Sequence, residues 1–198
     1  MKKICTLFFS CCLLVSAYAQ DSARTYVRKP ALGISFFFND YTTPQRIRAA
    51  SLSSVLTNDQ AAKFKEMDPG FAISYFRGLT NHVDFAGTLA SSFVTYDVSG
   101  KNTGSKERFL LEADASANLK LFSEKYIFTP YAALGVGFSK YGVYYGAFVP
   151  VGVGVKFNLF DEAHIFLNSS YRIPVISNTA AYHLMHGIGI AGIIGGNK

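Results

Sequence analysis

The chain has 198 residues, of which 49% are hydrophobic and 16% charged, and a formal net charge of +6. That length suits one domain, and an ordinary hydrophobic share argues against a helical membrane protein. The charge is mild and gives no reason to expect nucleic acid as a partner.

The chain opens MKKICTLFFSCCLLVSAYAQ, with two lysines, an apolar run from Ile4 to Val15 and the small-x-small triplet Ala17-Tyr18-Ala19. This order predicts a secretory signal over residues 1–19, cleaved between Ala19 and Gln20. The run is too short for a membrane-spanning helix, which needs about 20 residues. Cys11 and Cys12 lie inside the run, so neither is expected to be an acylated lipoprotein cysteine. Cleavage removes Cys5, Cys11 and Cys12 and, with Lys2 and Lys3, lowers the net charge to +4. The exported chain then has no thiol for a disulfide or a metal site. Residues 20–31 read as a short periplasmic segment, and 32–198 as the domain.

Strands are expected at Leu32–Tyr41, Gly70–Arg77, His82–Tyr96, Arg108–Leu121, Tyr126–Ser139, Gly146–Leu159, Ala163–Ile173 and Tyr182–Ile194, an even number of eight. After the first comes the one long insertion, TPQRIRAASLSSVLTNDQAAKFKEMD. Thr43 can cap a helix that starts with Pro44, and Ile47, Leu52, Val55 and Leu56 suggest an apolar stripe. Thr57-Asn58-Asp59-Gln60 reads as a capping box opening a second short helix before Asp68-Pro69-Gly70. Such a loop is expected to be a lid that buries its stripe. An exposed stripe would instead make loop 44–69 a surface for a ligand, with Arg46, Arg48, Lys63 and Lys65 free to meet lipopolysaccharide phosphates.

The fourth segment, RFLLEADASANLKL, shows the governing pattern. Phe109, Leu111, Ala113, Ala115, Ala117, Leu119 and Leu121 share one parity, and Leu110, Glu112, Asp114, Ser116, Asn118 and Lys120 the other. A period of two means a strand, here with one apolar and one ionic face. The run is far longer than the five or six residues usual in soluble domains. In the sixth, the valines, Phe157 and Leu159 oppose Pro150, Gly152, Gly154, Lys156 and Asn158. In the seventh, Ile165, Leu167 and Tyr171 oppose His164, Asn168, Ser170 and Arg172. Short turns at 78–81, 122–125 and 160–162 alternate with longer connections at 42–69, 97–107, 140–145 and 174–181. Aromatic residues gather towards strand ends: Phe93 and Tyr96, Tyr126 and Phe128, Phe138 and Tyr141, Phe157 and Phe160, Tyr171 and Tyr182.

Together these features predict an all-β fold: an eight-stranded antiparallel up-and-down transmembrane β-barrel with a long, partly helical first extracellular loop. Lipid wets the apolar face, and closure satisfies every backbone amide. Pro130 and Pro150, which cannot donate to a ladder, should coincide with a bulge or frayed pairing. The signal, the strand pattern and the motifs YAALGVGFSKYG, VPVGVGVKF and HLMHGIGIAG resemble the outer-membrane β-barrel domain family, which includes OmpA-like transmembrane barrels and small porin-family proteins. The resemblance spans essentially the whole mature chain. It implies a monomer in the outer membrane, in contact with lipid and lipopolysaccharide, without a cofactor. The sequence ends GIIGGNK, not in the terminal aromatic residue common in such barrels, and peptidoglycan anchoring, which OmpA-like proteins often achieve through a domain after the barrel, is not expected.

Parity places Asp84, Lys120 and Lys156 inside near the periplasmic end, and Glu112, Asp114 and Arg172 inside towards the outer half. Each level mixes signs, as buried charge requires. The expectation is a packed, paired plug; a narrow ion path is the alternative. Gly135 and Gly137 leave room inside for larger side chains.

Among the histidines, His82, His164 and His183 read as hydrogen-bonded polar residues. His186 is expected to face lipid and to pair with Ser169, a nucleophile–base arrangement that could act on acyl chains. No outward Asp or Glu nearby is expected to orient it, so a non-catalytic protein is favoured. A lipid-modifying barrel enzyme is one alternative. A soluble periplasmic barrel holding an apolar ligand, with its apolar parity inside, is another. No metal-ligand spacing or phosphate loop occurs.

Overall fold

The computed structural model describes residues 27–94, 108–159, 162–176 and 180–195. The signal, the cleavage site between Ala19 and Gln20, Tyr96, Phe160 and residues 97–107 lie outside these.

The period-two segments form eight strands: β1 (Ala31–Asp40), β2 (Asp68–Gly78), β3 (Val83–Val94), β4 (Arg108–Lys120), β5 (Phe128–Tyr141), β6 (Tyr144–Leu159), β7 (Ala163–Pro174) and β8 (His183–Ile193). Each pairs antiparallel with the next, and β1 pairs with β8 to close the ring. A closed sheet has no edge to cap.

Burial follows the alternation. In β4, Leu110, Glu112, Asn118 and Lys120 are buried while Phe109 and Leu119 are exposed. In β6, Lys156 is fully buried while Val153 is 64% exposed. Ile34, Leu89, Val136, Leu167 and Ile188 continue the exposed apolar wall around the cylinder. Charge is inside and grease outside. The soluble barrel required the opposite and is overturned, because water would not wet so large an apolar surface.

The narrow interior is filled by pairing aromatic rings with glycines on the adjacent strand. Phe37 faces Gly70, Tyr131 faces Gly154, Phe148 faces Gly137 and Phe166 faces Gly189. A Cβ at Gly137 would meet the ring of Phe148, and one at Gly154 the ring of Tyr131. The glycines are absent side chains whose space the rings occupy.

Several boundaries differ from expectation. The connection expected over 140–145 is a tight hairpin: β5 and β6 run on until Tyr141 pairs with Tyr144 around Gly142-Val143. Gly142 has φ +57°, a value glycine adopts without strain. On the opposite rim the turn after β4 is longer than expected. Tyr126 belongs to it, because Asn158 Nδ2 donates to the carbonyls of Glu124 and Tyr126 and draws the turn across the mouth. Pro150 lies within β6, with no bulge. The β5–β6 ladder runs Leu134↔Val151 and resumes at Gly137↔Phe148 in the same register, omitting the rows beside Pro150. Pro130 pairs with Val155, and its carbonyl accepts from Leu121 N–H.

The insertion after β1 is helical, but its caps are displaced. Helix α1 (Thr42–Ala49) begins where Asp40 Oδ1 accepts the Thr42 and Thr43 N–H groups, at 2.9 and 2.8 Å. Thr43 instead accepts from Ala62 N–H and pins the loop's return. Helix α2 (Leu52–Thr57) is capped by Ser51, whose hydroxyl accepts from Ser54 N–H. Thr57 therefore ends the second helix; the expected capping box at 57–60 does not open one. Ser51 lies in a run of small polar residues and is the one that adopts the extended cap conformation.

Candidate functional site

Two ionic clusters fill the lumen. At the end where the short turns lie, Asp84 on β3 is fully buried and central. Lys120 Nζ is 2.6 Å from Asp84 Oδ1, and Lys156 Nζ donates to Oδ2 at 2.7 Å. Lys156 also lies 5.1 Å from the ring centroids of both Phe76 and Tyr131, so aromatic faces share its charge. His164, expected at a turn boundary, is buried inside with its ring 5.2 Å from Phe76.

Two members of this cluster were not legible in the alternation. Arg28 precedes β1 and turns into the mouth. Its Nε donates to Glu124 Oε1 at 3.1 Å, and its Nη2 contacts Glu124 Oε2 and donates to Asn158 Oδ1 at 2.8 Å. Glu124, from the turn, also receives Lys120 Nζ at 2.8 Å. Neither residue sits in a strand, so no parity placed it. The excess of lysines over carboxylates at this level was the available signal. Three cations here meet two carboxylates.

Nearer the other end the balance reverses. Arg172 Nη1 donates to Glu112 Oε2 at 2.7 Å and Nη2 to Asp114 Oδ2 at 3.0 Å. The guanidinium lies 4.7 Å from the centroid of the Phe148 ring, and that ring fills the space Gly137 leaves. His183 Nε2 is 3.4 Å from Glu112. Tyr41, Val94, Leu110 and Tyr141 close the lumen above. Between the clusters lies a chamber of only about 50 Å³, whose lining includes Ser35, Ser74, Thr88, Ser116 and Ser170.

On the outer wall, Ser169 and His186 are register partners, and Phe38 is the β1 partner of His186. No exposed acidic residue adjoins the pair, but a buried one lies close in register. Asp40, two residues above Phe38 on the same parity, is register partner to Leu184. However, its Oδ1 caps α1 and is committed to backbone amides.

The loop does not sit purely over the mouth. Phe64 stands edge-on to the outward ring of Phe38, with centroids 5.7 Å apart. Arg48 lies 3.9 Å over Tyr182, which stacks on Tyr171. Val55 is buried, yet Leu52 and Leu56 are 56% and 68% exposed, so the loop does not bury its whole stripe as expected.

Three solved structures share this architecture. The N-terminal β-barrel domain of Pseudomonas aeruginosa OprF is 13% identical, with a TM-score of 0.50, over 84% of this chain and 98% of that one. Neisserial surface protein A is 14% identical, with a TM-score of 0.51, over 85% and 99%. The outer membrane protein OprG from Pseudomonas aeruginosa is 10% identical, with a TM-score of 0.50, over 85% and 98%. The sequence matches no protein-family model and no curated protein. The likeness is one of fold: an eight-stranded barrel of the outer-membrane type.

Proposed function

We propose that the protein is a monomeric, non-enzymatic outer-membrane barrel, exported by its signal and held shut by two ionic plugs. Its role is structural, with loop 44–69 as its surface for interaction. The observation that carries this reading is the inversion of polarity around a sealed cylinder. Ile34, Val136, Val153 and Leu167 are exposed while Asp84, Lys156, Glu112 and Arg172 are buried. Only hydrocarbon suits such an outside, and only a closed sheet suits hydrocarbon. The outer membrane is the membrane of the similar barrel OprG.

A plug is favoured over an ion path by the pairing. Each described charge in the lumen is in contact with an opposite charge, and the chamber between the clusters is narrow. The test has two arms. Fractionation should recover the protein in the outer membrane, with a gel mobility that changes on boiling. Planar-bilayer recording should show quiet traces; frequent, reproducible steps would refute the plug.

One observation favours the enzymatic alternative: Ser169 and His186 lie in an apolar groove. A hydrolase would release fatty acid when purified, or its deletion would alter lipid A or phospholipid acylation. A structural barrel should do neither, and the carboxylate nearest in register, Asp40, is buried and occupied by α1.

A further inference from the structure

Elsewhere on the wall the exposed rings pair with rings of neighbouring strands or of the adjoining hairpin, as Phe36 does with Phe71, Phe93 with Phe109 and Phe138 with Tyr145. One flank is different. Phe64 is 76% exposed and stands out from the wall on Phe38, forming one side of a groove of about 450 Å³. Val153, Val155, Leu167 and Ile188 line its apolar part, with the backbone of Gly154 and Gly187 between them. Ser169 and His186 are its side-chain polar groups apart from Asn168.

The order of these groups along the barrel axis matters. His186 and Phe38 lie near the loop end of β8 and β1, whereas Ile188, Leu167 and Val155 lie nearer the turn end. Above them, Lys63 and Lys65 flank Phe64, both exposed. Glu66, the acid in that turn, is spent on the Lys63 N–H at 3.0 Å and leaves the cations uncompensated by it. Arg48, over Tyr182 on the same flank, adds a third positive charge, while Arg46 is committed to the Gln60 carbonyl. Cations, then a hydroxyl and an imidazole, then an apolar trough follow one another down the wall.

We propose that this groove seats one acyl chain of a net-anionic phospholipid from the surrounding leaflet. The chain lies against Val153, Val155, Leu167 and Ile188 beneath the ring of Phe64. Lys63 and Lys65 meet the phosphate, and Ser169 and His186 face the lipid's carbonyl linkage. The polar pair on the lipid-facing wall is thereby explained as a recognition element. The proposal rests on the reading that the barrel spans a membrane.

The test uses the mature chain folded into phosphatidylglycerol or phosphatidylcholine vesicles, each with a trace of phosphatidylglycerol carrying a diazirine in its acyl chain. After irradiation, adducts are mapped by mass spectrometry. They should concentrate on the segments Ile165–Tyr171 and Leu184–Ile190, about tenfold over the outward residues Leu89 and Ala113 of β3 and β4. Excess phosphatidylglycerol should compete better than phosphatidylcholine. Lys63→Glu with Lys65→Glu should abolish that headgroup difference, and Phe64→Ala should reduce the focused labelling about tenfold, the scale of one buried aromatic contact. Heat-modifiable gel mobility verifies that each variant is folded. Even labelling around the wall would overturn the site and leave the membrane barrel standing. Focused labelling with no headgroup preference would overturn the assignment of a net-anionic headgroup to Lys63 and Lys65. A folded barrel with no adducts on any outward residue would overturn the membrane reading itself.

Discussion

Replacing Asp84 by alanine removes the carboxylate that Lys120 and Lys156 share, and the consequences for the two lysines differ. Lys120 keeps Glu124 at 2.8 Å. Lys156 is fully buried, and among the described residues its ion pair is with Asp84, at 2.7 Å. At that separation and an effective dielectric near 20, the Coulomb attraction is about 6 kcal/mol, most of it offset by desolvation of both groups. Breaking such a pair from one side leaves a buried charge uncompensated, which costs about 3–5 kcal/mol. With an m-value near 2 kcal/mol/M, the urea midpoint should fall by roughly 2 M. Equilibrium unfolding from vesicles, read as the folded and unfolded bands on an unheated gel, measures it. Asp84→Leu combined with Lys156→Met should recover most of the loss, since neither charge then remains. An alanine variant that keeps the native midpoint, or a double variant no better than the single one, would refute a shared buried carboxylate as the source of stability.

Arg28→Ala frees Glu124 from two guanidinium contacts and should expose the turn after β4 to added protease, at a stability cost of about 1.5–3 kcal/mol. Gly137→Val drives a side chain into the Phe148 ring and should destabilise the barrel by about 1–3 kcal/mol, with Phe148→Ala restoring part of it in the double variant. Arg172→Ala unpairs Asp114, leaves Glu112 only His183 at 3.4 Å and opens the plug nearer the loops, so single-channel steps should appear where the native protein is quiet. On intact cells trypsin should cut the first loop rapidly at the exposed Lys63 and Lys65, and resistance there would restore a closed lid.

How much of this was legible in the sequence depended on whether a residue obeyed the period of two. Glu112, Asp114 and Lys120 in β4, and Lys156 opposite the valines of β6, could be assigned to the interior by parity alone, because a one-residue slip would put them all in lipid. The Ser169–His186 register followed from folding β7 and β8 about their loop, and the structure pairs the same residues. What parity cannot reach is backbone outside the sheet. Arg28 and Glu124 enter the lumen from irregular segments, and Asp40 is drawn to helix amides at a strand end. The hairpin at Gly142-Val143 was hidden for another reason: Tyr141 and Tyr144 look like rim residues of a loop until they are seen to pair. The first loop was recognised as helical, yet its caps depend on local competition between neighbouring hydroxyls, which composition does not rank.

The seam where Ala31 meets Ile193 has a consequence for how the molecule comes into being. The other seven ladders join strands adjacent in the chain and can zip up locally, but this one waits for the two extremities to find each other. Until they do, both outermost strands carry bare amides that oil cannot solvate. Insertion and final closure are therefore a single commitment, and a chain arrested one strand short has no comfortable place to rest.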